Sequence, residues 1–324
     1  MSRSVPPAIP PDERPRPEEI GFPLEPTLEA VLGLKAQIPE DAFTAETLGT
    51  EREGSGVLIH ENGLVLTVGY LVCEASRVWL TTARGQVVSG HLLGYDFETG
   101  FGLVQAEAPI DASPLELGHA ADLRVGEPVV TAAHGGPRMA LRSVLLARRE
   151  FAGYWEYLVE EALFLSPTHP SWGGAACIDK SGALVGIGSL QVRTGSEERP
   201  DTVTMALPVD LLQPILDDLV TLGRVRRPAR PWLGLYLLED ERGLGVLNLV
   251  PGGPAARAGV ETGDRIARVG DVPVCDLADF YRLVWGLGPA GTLVPLTVRR
   301  GERVLSFEIE SADRADYLKR PSLH

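Results

Sequence analysis

Ser171 and His169 stand two residues apart in the stretch SPTHPSWGGAACIDKSGALVGI (166–187), with Gly173 and Gly174 just beyond them. A hydroxyl and an imidazole are the first requirements of acyl transfer. One attacks a carbonyl, the other takes its proton, and a carboxylate orients the imidazole. Loop residues two apart face each other only where the chain bends back, so ordinary loop polarity is favoured over a displaced nucleophile–base pair. The remaining histidines are His60, His91, His119, His134 and His324. No two histidines share ligand spacing with each other or with Cys73, Cys177 or Cys275, so neither a metal nor a cofactor is expected.

The elements that would hold such a loop read as short strands. Residues 179–182 form a turn signal and 183–187 a buried strand. Upstream, 54–59 and 64–67 flank a tight turn at 61–63, giving a hairpin. Further β-runs fall at 77–81, 86–93, 102–106, 128–132 and 142–147, a rhythm that favours an all-β barrel or sandwich. A helix is expected from 208 to its cap at Gly223, over LLQPILDDLVTLG. The basic, proline-punctuated run 224–231 then reads as a solvated linker. Beyond it, strands at 245–250, 265–269, 293–298 and 303–309 with a helix over 276–287 make a compact α+β unit able to fold alone.

Bulk properties exclude several classes. The chain has 324 residues, 44% apolar and 23% charged, which suits two folded domains rather than disorder. A net charge of −14 argues against nucleic acid or an anionic membrane as the main partner and shifts the expectation toward peptides or proteins. Three scattered cysteines read as buried thiols in a reducing compartment. No membrane span or signal-like apolar core is visible, so the expectation is cytoplasmic, or periplasmic if a signal has been removed. The first 26 residues, rich in Pro, Arg and Glu, read as a flexible arm.

The order of elements resembles the HtrA/Deg family: a trypsin-like double six-stranded β-barrel followed by an α+β PDZ domain. GSGVLIHENGLVLT resembles its first hairpin, GYDFETGFGLVQ the stretch that carries its catalytic aspartate, and LVPGGPAARAGVETGDRIARVGDVPV a bacterial PDZ core. MALPVDLLQPILDDLVTLGRVRRPARPWLGL is similar to its closing helix and entry to the PDZ domain. The resemblance implies a degenerate protease domain over 27–222, a linker over 223–230, a PDZ domain over 231–312 and a tail over 313–324. It implies a trimeric homo-oligomer as well.

Departures from the family pattern fall on its chemistry. Tyr70 stands where T-N-x-H-V-V has histidine, in TVGYLV (67–72). Gly100 follows Asp96-Phe97-Glu98-Thr99 where the aspartate belongs, and Gly173 takes the nucleophile's place in HPSWGGAA (169–176). A phenol with a pKa near 10 is a poor general base at neutral pH. Stripping a triad leaves roughly 10³–10⁴ over uncatalysed hydrolysis, from binding and the oxyanion hole. Tyr70 is expected to pack with its hydroxyl bonded, Gly100 and Gly173 to serve the backbone, and Trp172 to cover the former cleft.

The PDZ-like half keeps its machinery. Trp232-Leu233-Gly234-Leu235 resembles the carboxylate-binding loop, whose N–H groups form a nest for a peptide's C-terminus. Val246-Leu247-Asn248 are expected to pair with the incoming peptide strand, and Phe280 and Val284 to wall the pocket for its last side chain. A loop plugged by the chain itself is the competing possibility. The expected function is a pseudoprotease that binds peptides or protein C-termini as a scaffold, regulator or chaperone-like adaptor, an active HtrA relative being one candidate partner. The alternatives are an active serine endopeptidase using displaced residues and a purely structural oligomer component.

Overall fold

The computed structural model describes residues 8–196 and 199–319. They divide into two compact units, one of residues 8–149, 161–225 and 319, the other of 150–160 and 226–318. The division is not serial: eleven residues, 150–160, interrupt the N-terminal unit and fold with the C-terminal one.

Two closed barrels make up the N-terminal unit. The first is built from β1 (Val31–Gln37), β2 (Glu51–His60), β3 (Leu64–Val68), β4 (Arg77–Thr81), β5 (Val87–Tyr95) and β6 (Phe101–Ala106), closing in the order β1-β2-β3-β6-β5-β4. The second uses β7 (Pro128–Ala132), β8 (Ala140–Gly153), β9 (Tyr157–Ser166), β10 (Ala176–Ile178), β11 (Leu184–Ser196) and β12 (Arg199–Pro208), in the order β10-β11-β12-β9-β8-β7. Closure removes the free sheet edges that would otherwise invite foreign strands. Alternation drives it: in β5, Val88, Gly90, Leu92 and Gly94 are buried between exposed or half-buried neighbours. β3 is buried throughout, with Thr67 the one polar residue in its LVLTV run.

Residues 8–26 are pinned to the second barrel rather than free as expected of an arm. The Ile9 N–H donates to the Arg138 carbonyl, the Gly21 N–H to Lys180, and the Glu19 carboxylate bonds the Arg142 guanidinium at 2.7 Å. Ile9 supplies the apolar anchor that the Pro-rich composition hid, being only 3% exposed. The helix expected from residue 208 is shorter: a 3₁₀ turn at Val209–Leu211, then an α-helix over Leu216–Leu222. Pro214 lies between them, and proline lacks the N–H that a continuous helix needs there. Cys275 is exposed, unlike Cys73 and Cys177, so one thiol departs from the buried set expected.

The C-terminal unit is one sheet with helices. β13 (Leu235–Asp240), β14 (Gly243–Leu249), β15 (Arg265–Val269), β17 (Leu293–Arg300) and β18 (Arg303–Glu310) run in that spatial order, and β16 (Val272–Pro273) pairs with β15. The helix Leu277–Gly286, capped by the Asp276 carboxylate accepting the Asp279 N–H, buries Phe280, Tyr281 and Val284 in the core with Leu235 and Leu237.

Candidate functional site

The three positions singled out by their departures from the family converge in the N-terminal unit. Tyr70 sits in a one-turn helix, Gly69–Val72, that follows β3. Its carbonyl accepts Nη1 of the buried Arg52 at 2.7 Å, and the same nitrogen reaches the Cys73 carbonyl, so the guanidinium clamps the short helix at its C-terminal end. The Gly69 N–H donates to the Gly100 carbonyl at 2.7 Å, tying the first position to the second. Gly100 has φ +83°, a left-handed conformation that strains any residue with a Cβ.

The third position meets the first through its side chain. The Tyr70 hydroxyl donates to the Ser189 carbonyl at 2.8 Å. Ser189 lies where the β11–β12 register shifts, between Gly188 and Leu190. Such a bulge withdraws one residue from the ladder, leaving its carbonyl to accept from elsewhere. A Cβ placed on Gly173 would lie 2.9 Å from the Tyr70 hydroxyl oxygen. The phenol thus occupies the space into which a nucleophile's side chain would leave the backbone. Burial pushes the Tyr70 hydroxyl far above the ordinary phenol range, so it holds its proton and acts as a donor only.

The surrounding loop is locked to β2. The Ser55 N–H donates to the Gly173 carbonyl at 2.9 Å, and a Cβ on Gly174 would fall 1.8 Å from the Ser55 carbonyl oxygen, so only glycine fits there. Trp172 is half-buried, and its carbonyl accepts the Ala175 N–H within the loop.

His169 and Ser171 do meet, but not as base and nucleophile. His169 is fully buried, and its Nδ1 lies 3.0 Å from the Ser171 backbone N–H, from which it accepts. Its Nε2 lies 3.0 Å from the Met139 carbonyl, to which it donates. Both ring nitrogens are therefore engaged with backbone, and burial lowers the imidazole pKa, keeping it neutral. His134 bonds the Thr82 carbonyl at 3.3 Å, His60 accepts from the Asn62 N–H, and His91 and His119 lie 3.6 and 3.7 Å from Glu107 and Asp210. None of these contacts reaches the Ser171 hydroxyl.

In the C-terminal unit, the N–H groups of Leu233, Gly234 and Leu235 all point at one carboxylate, that of Glu156, at 3.1, 2.8 and 3.0 Å. Gly234, with φ +75°, makes the turn that aims them together. Trp232, the first residue of the loop, is buried against Tyr317 with ring centroids 4.7 Å apart. Val246, Leu247 and Asn248 lie on β14, which has β13 on one side, while the Val246 N–H and carbonyl bond Asp264 and Gly263 on the other. An interior strand has no free edge to lend; the edge strand is β13, and this corrects the strand expected to receive a peptide. Phe280 and Val284, each 1% exposed, lie in the core with Leu235 and Leu237, facing inward as their helical spacing suggests. Sequence reasoning missed Glu156, Tyr281 and the role of β13. No local motif marks Glu156, because its partners are 77 to 79 residues away.

Among the described residues, no group of three His, Cys, Asp or Glu side chains is placed to hold a metal, and no helix is long and apolar enough to cross a membrane.

Comparison with known proteins places these features in context. Residues 54–187 match the trypsin-like peptidase domain and residues 231–310 the PDZ domain. Protease Do-like 1, chloroplastic, of Arabidopsis thaliana is 27% identical over 307 residues, covering 86% of this chain and 68% of its own length. Serine endoprotease DegS of Escherichia coli is 24% identical over 274 residues, covering 79% and 75%. In fold, the chain is similar to the HtrA-type protease AlgW with decapeptide (TM-score 0.53, 18% identity, 93% of this chain and 100% of that one). The serine endoprotease from Yersinia pestis is alike to the same degree (TM-score 0.53, 20% identity, 91% and 99%). Two six-stranded barrels followed by a sheet-and-helix unit agree with the matched trypsin-like peptidase and PDZ domains, an order of domains in which the chain is similar to HtrA-type proteases.

Proposed function

We propose that this chain is a proteolytically silent HtrA-like protein that holds peptides or protein C-termini at its PDZ domain and serves as a scaffold, regulator or chaperone-like adaptor. One observation carries the first half: the Tyr70 hydroxyl, bonded to the Ser189 carbonyl, fills the space a nucleophile on Gly173 would need. Hydrolysis requires a proton acceptor at that point, and a buried phenol that holds its proton supplies none. The second half rests on the inward-pointing N–H groups of Leu233, Gly234 and Leu235, a nest built for a carboxylate. An active HtrA relative is one partner class, through mixed assembly of like barrels.

A second reading is an active serine endopeptidase. It is favoured by relatives that bear protease names, such as serine protease PepD of Mycobacterium tuberculosis. Against it stands the engagement of both His169 ring nitrogens with backbone, which leaves Ser171 without a base. For the compartment, the DegP-like relative of Pseudomonas fluorescens is named as periplasmic, which supports the periplasmic alternative for this chain. Labelling with a fluorophosphonate probe tests the reading. The purified chain is expected to give a blank lane beside an active HtrA control, and labelling lost on Ser171→Ala would establish the second reading instead.

A further inference from the structure

Residues 150–160, at the turn between β8 and β9, form a tip that belongs to the C-terminal unit. Two of its residues bond the edge strand β13 and the loop that leads into it. The Tyr154 carbonyl accepts the Leu237 N–H at 3.0 Å, and the Glu156 carboxylate accepts from the loop preceding that strand. The Tyr281 hydroxyl donates to the Gly153 carbonyl at 2.7 Å and accepts the Glu156 N–H at 3.0 Å. Arg314 bonds the Trp155 carbonyl. Glu156 itself has φ +61°, an unfavourable conformation for a residue with a Cβ, and a conformation of this kind persists only where its surroundings over-determine it.

These are the kinds of interaction by which an extended peptide with a free carboxylate adds to a sheet edge: a main-chain bond to the strand and a carboxylate in the nest. We propose that the 150–160 tip is a built-in ligand of the PDZ domain, with the Glu156 side chain standing in for a chain terminus, so that a partner's C-terminus binds only by displacing it. The inference rests on the reading of this domain as a binder of C-termini. Every bond the tip makes to Leu233, Gly234, Leu235 and Leu237 uses their backbone N–H groups, which any peptide reaches equally well. Nothing in those bonds is specific to the tip except its tether. A tethered segment competes at an effective concentration on the order of millimolar, so a free terminus meets a groove that is mostly filled. Its apparent affinity falls by the fraction of molecules with the tip undocked.

The test uses the full chain and a fluorescein-labelled peptide of residues 149–155 extended by one valine with a free carboxylate, with its amidated twin as control. Glu156→Ala is expected to bind the free-carboxylate peptide at least about tenfold more tightly than the wild type, and Glu156→Gln to fall between them. The amidated peptide is expected to bind none of the three. Hydrogen exchange at Gly234, Leu235 and Leu237 is read in parallel and is expected to quicken in Glu156→Ala. Equal peptide affinity in wild type and Glu156→Ala overturns the built-in ligand while leaving a terminus-binding domain in place. Exchange that quickens while neither form binds the peptide overturns the terminus-binding reading and the displacement with it, leaving a structural strap. Unchanged exchange also overturns the proposal, since the carboxylate would then not protect the nest.

Discussion

At the scale of single residues, Tyr70 and Gly173 fit one another. Gly173 and Tyr70 are complementary: a phenol needs the space, and a glycine grants it. Gly173→Ser alone is expected to destabilise the N-terminal unit by about 1–3 kcal/mol through overpacking against the phenol, and Tyr70→His to relieve most of that loss. A double-mutant cycle by urea unfolding checks it; strict additivity would mean the two side chains do not meet as described. Glu156 carries a second prediction. Burial pushes its carboxyl up to about 7, against the Leu235, Leu233 and Gly234 N–H groups and Arg314, which pull it down; the Tyr281 phenol faces it without charge. The docked tip then holds its proton more tightly than the undocked tip, whose carboxyl is near about 4.3. Docking is therefore fully supported below that value and weakens as pH rises through about 7. The protection factor at Leu237, with the intrinsic pH dependence of amide exchange divided out, should fall from about pH 5 to 8 in the wild type and lose that dependence in Glu156→Gln. A flat wild-type profile would contradict this.

At the scale of elements, glycine- and proline-bearing segments decide where strands stop and loops lock. The VETGDRIARV run owes its turn to Asp264, whose side chain is fully buried. It accepts the Glu261 N–H and takes two bonds from the Arg300 guanidinium at 2.7 and 2.8 Å. Removing the arginine leaves the Asp264 carboxylate without its partner, so Arg300→Ala is expected to lower the denaturation midpoint of the C-terminal unit. An unchanged midpoint would mean that water replaces the guanidinium. Several strands of both units are legible because their alternation is local: LVPLTV buries Val294, Leu296 and Val298. β1, β9, β10, β12 and β13 lie outside the β-runs expected from the sequence. The long helix after residue 208 was overread because apolar spacing continues through Pro214 while the backbone bond does not.

At the scale of the whole molecule, the double barrel and the sheet-and-helix unit could be read from the order of motifs, and the departures at Tyr70, Gly100 and Gly173 from their position within those motifs. What those residues do in space could not. That Tyr70 reaches the carbonyl of Ser189, 119 residues on, depends on barrel closure and on a bulge that no pattern announces. Nor could sequence order reveal that residues 150–160 leave one unit for the other, since a domain boundary drawn on composition assumes continuity. The proposed proteolytic silence rests on the buried Tyr70 phenol, which holds its proton beside Gly173. Its most direct test is casein turnover by the purified full chain, run beside Ser171→Ala and the Tyr70→His/Gly100→Asp/Gly173→Ser variant. The wild type and Ser171→Ala are predicted to be indistinguishable from buffer; wild-type turnover that vanishes in Ser171→Ala would contradict the account.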